Sequence, residues 1–63
     1  MTRQRRTELS HLEGRQVHLS LIDGSRIDDC QLVFAGRFKL WVFVNGQDAF
    51  VAVNRVTDFW EAA

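Results

Sequence analysis

A chain of 63 residues forms one domain, and at this size folding buries only about 60% of the unfolded surface, so an added support such as oligomerisation matters. The single cysteine, Cys30, excludes an internal disulfide and fits a reducing cytoplasm. Formal charge is zero, yet Arg3, Arg5 and Arg6 gather at the start, leaving five basic against eight acidic side chains from Thr7 onward; a body of that balance lacks the broad basic surface with which nucleic-acid binders replace counterions.

Residues 1 to 13 are polar, with Leu9 and Leu12 as the apolar side chains after Met1, so they hold no signal-peptide core and are expected to be a basic arm with a short helix at most. Two placements of that helix fit. Ser10 to Glu13 has the spacing of a capping box but runs straight into Gly14; alternatively a helix begins near Thr2 and stops at Gly14, with Leu9 and Leu12 one turn apart and able to dock. No apolar run approaches the roughly 18 residues of a membrane helix.

Residues 14 to 63 read as the folded domain. From Gln16 the period becomes two: Val17, Leu19 and Leu21 share one face and His18 and Ser20 the other, which predicts a half-buried strand that turns at Asp23 and Gly24. The next run, Arg26 to Phe34, has Ile27 on one parity and Cys30, Leu32 and Phe34 on the other, so a bulge or bend near Asp28 and Asp29 is predicted. A loop from Ala35 through Phe38 follows. Lys39 to Val53 then reads as two strands joined by a tight turn at Asn45 and Gly46, which sets Val44 against Gln47, Val42 against Ala49 and Leu40 against Val51 on one face, and Trp41 against Phe50 and Phe43 against Asp48 on the other. Asn54 and Arg55 make a short connection, and Val56 to Trp60 a last strand. Five strands in so short a stretch predict an all-β fold, a small, strongly bent barrel.

The series Leu12, Gly14, Val17, Leu19, Leu21, Asp23, Gly24 followed by a bent strand resembles the opening of the Sm-like family, and Phe50 to Val53, Asn54 to Val56 and Thr57 to Trp60 resemble the fourth strand, one-turn connection and fifth strand of an SH3-type or Sm-like barrel. The resemblance implies rings formed by edge pairing of fourth and fifth strands, and RNA held by two loops. Where that family carries an acid and an asparagine in the first loop, this chain has Phe34, Ala35, Gly36, Arg37, Phe38 and Lys39; in the second it has Asn54 and Arg55.

Both faces of the predicted hairpin are apolar, and a small sheet hides one face well. With the aliphatic face as core, Trp41, Phe43 and Phe50, extended by Phe59 and Trp60, are the candidate protein interface, for a second copy or another protein. Residues Leu9, Leu12 and the last strand are the elements that would otherwise cover these rings. Arg37, Phe38 and Lys39, with Asn54 and Arg55, are the candidate nucleic-acid contacts, a ring for stacking between cations for phosphate. No catalytic or cofactor motif stands out: His11 and His18 lack metal-ligand spacing, and Asp28 and Asp29, being adjacent, do not face one substrate from a regular strand. Cys30, preceded by Asp28 and Asp29 and in phase with Leu32 and Phe34, reads as a buried, inert thiol. The expected function is a non-catalytic interaction module, with an RNA-binding protein as the alternative.

Overall fold

The computed structural model describes residues 2–62. A helix, α1 (Arg3–Ser10), precedes five strands: β1 (Gln16–Leu21), β2 (Arg26–Ala35), β3 (Lys39–Val44), β4 (Gln47–Ala52) and β5 (Val56–Glu61), with one 3-10 turn at Val53–Arg55. They form one antiparallel sheet in the order β4-β3-β2-β1-β5. The outermost strands β4 and β5 do not pair with each other, so the sheet stays open and both keep a free edge. Closure into a barrel, expected from the spacing of the strands, is therefore not formed by hydrogen bonding.

The arginines at the start belong to α1. Thr2 caps the helix, its Oγ1 accepting a hydrogen bond from the Arg5 backbone N–H at 3.2 Å. Cationic side chains at a helix N-terminus oppose its dipole, and eight residues are too few for a stable isolated helix, so tertiary contacts must hold this one. Leu9 provides the main one, buried in the sheet's core. Arg5 provides another: its guanidinium reaches Asp58 of β5 at 2.6 Å and lies over the Phe59 ring at 4.3 Å. The chain then leaves the helix through Gly14, whose φ of +85° suits a residue without a Cβ, and Gly14 N–H donates to the Leu32 carbonyl.

The core consists of Val17 and Leu19 from β1, Cys30 and Leu32 from β2, Leu40 and Val42 from β3, and Val51, Val53, Val56 and Phe59 beyond them, closed by Leu9. The predicted bulge is present. His18 of β1 faces both Asp28 and Asp29, and Asp29 takes a φ of +54°, the conformation that lets one extra residue fit and brings Cys30 back to the inner face. A second irregularity was not legible in the pattern. Leu32 pairs with Val42 but Phe34 pairs with Trp41, so Val33 is an extra residue and Phe34 turns outward instead of following Cys30 and Leu32 inward. Phe59 differs from expectation in the other direction: at 7% exposure it is core, because β5 pairs with β1 and turns that ring toward Leu9 and the inner face. Among the described residues no helix is long and apolar enough to cross a membrane.

Candidate interaction surface

The hairpin β3–β4 has the register its turn dictates. Asn45 and Gly46 have φ of +55° and +77°, the pair of positive values that matches the twist of two adjoining strands, and all the predicted cross-strand pairs, from Val44 with Gln47 to Leu40 with Val51, are present. Side-chain alternation then places Leu40, Val42 and Val51 inside and leaves Trp41, Phe43 and Phe50 outside, exposed by 39%, 42% and 61%. Neither α1 nor β5 covers them.

The bulge at Val33 adds a fourth ring. Phe34, 57% exposed, is the cross-strand partner of Trp41, which is in turn the partner of Phe50, so three aromatic side chains run in one row across β2, β3 and β4 to the free edge. Trp41 and Phe50 lie 6.0 Å apart at their centroids, tilted by 30°, within the range for favourable aromatic packing. Beside the row is a hollow of ≈ 600 Å³ whose far wall is Phe38, on the loop between β2 and β3. Arg37 lies over Phe38 at 5.5 Å and Lys39 over Phe50 at 5.1 Å, so cations border the rings. Gly36 makes this loop tight: a Cβ there would stand 2.8 Å from the Lys39 carbonyl oxygen, which instead accepts the Gly36 N–H. Asp48 anchors the other end, accepting a hydrogen bond from Trp41 Nε1–H at 2.9 Å.

The expected interface residues therefore separate. Trp60 lies away from this row, on β5 at the opposite margin of the sheet, 5.7 Å from the His18 ring and beneath the Arg26 guanidinium at 4.8 Å. The expected nucleic-acid contacts separate in part. Arg55 turns to Asp23 at 3.3 Å, and Arg37, Phe38 and Lys39 border the aromatic hollow together, while Arg37, Phe38 and Asn54 also meet Arg3 and Arg6 of α1 around a second hollow of ≈ 430 Å³. Arg5, Arg15, Arg26 and Arg55 each have a carboxylate partner, whereas Arg3, Arg6, Arg37 and Lys39 have none among the described residues. Sequence reasoning missed Phe34, whose parity pointed inward. Arg3 and Arg6 had a visible signal in their charge but no visible position.

The titratable groups elsewhere are tied into the scaffold. A hydrogen bond from Arg26 holds the Asp28 carboxyl below its usual range, with His18 a lesser contributor, and hydrogen bonds from Ser25 do the same for Asp23 in the β1–β2 turn. Burial pushes the Cys30 thiol up, with Asp28 and Asp29 adding smaller repulsions, so burial outweighs the acidic neighbours that the sequence makes conspicuous. Among the described residues no three His, Cys, Asp or Glu side chains gather as metal ligands.

No model of a known protein family matches the chain, and no curated protein matches it.

Proposed function

We propose that this protein is a non-catalytic interaction module of the SH3-type or Sm-like kind, working in the cytoplasm, whose outer aromatic row is a contact for copies of itself or for another subunit of an assembly. The observation that carries the reading is the row Phe34, Trp41 and Phe50 reaching a free strand edge with its rings uncovered. Large contiguous apolar patches on small domains mark contacts, and tryptophan at the centre of such a patch commonly carries about 2 kcal/mol or more of binding free energy. Since Trp41 and Phe50 are not core residues, replacing either is expected to weaken assembly while leaving folding intact. Thermal melting and sedimentation of Trp41→Ala test this. A modest fall in melting temperature, from the lost packing on Phe50 and hydrogen bond to Asp48, with a clearly smaller assembly is expected, and a collapsed melting temperature with no separate effect on assembly would mean the ring is structural.

A second reading is favoured by one observation, the convergence of Arg3, Arg6 and Arg37 with the exposed Phe38 and with Asn54. Cations without carboxylate partners beside a free ring suit single-stranded RNA or DNA, phosphate on the arginines and a base on Phe38. Such binding weakens steeply with salt. Absence of any binding to single strands at low salt would rule it out.

A further inference from the structure

The free edge of β4 is self-complementary, and we propose that it pairs antiparallel with β4 of a second copy about a two-fold axis at Phe50, fusing two sheets into one. This rests on the reading of the aromatic face as a protein contact and specifies the partner and the register.

The backbone sets the register. A two-residue turn at Asn45 and Gly46 closes on a hydrogen-bonded pair, Val44 with Gln47, and antiparallel ladders alternate, so Val42 with Ala49 and Leu40 with Val51 are hydrogen-bonded pairs and Phe43 with Asp48, Trp41 with Phe50 and Lys39 with Ala52 are not. The N–H and C=O groups of Asp48 and Phe50 and the N–H of Ala52 therefore point away from β3, to the free edge, while the Ala52 carbonyl caps the 3-10 turn at Val53–Arg55. Pairing Phe50 with its own copy gives the sequence-symmetric match: Asp48 then faces the second copy's Ala52, and the reverse.

The side chains agree with that register. Asp48, Phe50 and Ala52 share the outer face with Lys39, Trp41 and Phe43, so the pairing joins two aromatic rows end to end, Phe34, Trp41 and Phe50 followed by the second copy's Phe50, Trp41 and Phe34. Beyond the second copy's Ala52 lies its Lys39, the cross-strand neighbour of that alanine. Asp48 and that lysine are two strand spacings apart, about 10 Å between backbones, and a methyl side chain between them lets the lysine reach over. Among the described residues Lys39 has no carboxylate within its own chain, and Asp48 accepts only from Trp41 Nε1. Two-fold symmetry forms the pair twice, and an isologous interface requires such self-complementarity.

The test measures solution mass by sedimentation of the full chain across a concentration range. Rising concentration is expected to give twice the 7.3 kDa chain mass. Asp48→Lys and Lys39→Asp are each expected to raise the dimer dissociation constant about tenfold or more, because like charges then oppose each other across the interface, and the double variant is expected to restore the dimer. Ala52→Pro is expected to fold normally and stay monomeric: Ala52 has φ −63°, which proline shares, and the N–H it loses faces the free edge. A monomer at every concentration overturns the pairing. An oligomer that survives both charge reversals but dissolves in Phe50→Ala overturns the two-fold register while keeping the aromatic contact, and one that survives Phe50→Ala as well overturns both.

Discussion

Cys30 shows how burial, not sequence neighbourhood, sets a residue's chemistry. Its thiol is enclosed by the core and sits 3.5 Å from the Val17 carbonyl, to which Sγ–H donates, and burial raises its pKa, so at neutral pH it is a neutral, shielded group and a poor nucleophile. Alkylation of the native protein is expected to be slow and to become fast only in denaturant; rapid modification without denaturant would show that the β1–β2 interior opens readily. Asp23 and Asp28 carry the opposite sign. Their folded pKa values are lowered by Ser25 and by Arg26 respectively, so their contribution to stability is complete above the ordinary aspartate range and is lost as pH falls through the lowered values. Urea midpoints are therefore expected to decline on acidification through and below that range, and the decline should be shallower in Asp28→Asn. Both groups are exposed, so the effect is expected to be small and salt-sensitive.

At the scale of elements, the β3–β4 hairpin and the β2–β3 pairing differ in what their sequences reveal. Asn45 and Gly46 fix a two-residue turn, and once the turn is fixed every pair from Val44 with Gln47 to Lys39 with Ala52 follows; the aromatic face of Trp41, Phe43 and Phe50 was legible for that reason. The first bulge was legible too, since Ile27 and Cys30 lie on opposing parities and only an extra residue near Asp28 and Asp29 reconciles them. The second bulge at Val33 leaves no such conflict. Cys30, Leu32 and Phe34 alternate cleanly, and only the pairing with β3 shows Phe34 turned outward. Helix α1 was half legible: Leu9 and Thr2 announce it, but the Arg5–Asp58 contact that fastens it lies 53 positions apart in the chain. Its dependence on packing gives a direct expectation. Leu9→Ala removes a buried side chain and is expected to cost about 3 kcal/mol, read as a lower denaturation midpoint for the whole domain. A loss of helical circular dichroism with the sheet's melting unchanged would mean that α1 is an independent appendage.

At the scale of the whole molecule, the charges that balance to zero are not evenly spread. The cations near the β1–β5 side are matched by Asp23, Asp28, Asp58 and Glu61, while those without carboxylate partners gather where α1 meets the β2–β3 loop, next to the aromatic row. That arrangement offers two neighbouring surfaces, apolar rings for a protein and arginines with Phe38 for a polyanion, and a small domain with two free strand edges gains stability from covering the first. The central claim is that the aromatic row is a protein contact. It is tested most directly by light scattering of the purified chain over a concentration range, with ultraviolet absorbance recorded to detect bound nucleic acid. A discrete oligomer larger than one 7.3 kDa chain and free of nucleic acid is the expected result. A monomer at the highest soluble concentration, carrying nucleic acid, would contradict self-assembly through the row and transfer the function to the arginine cluster.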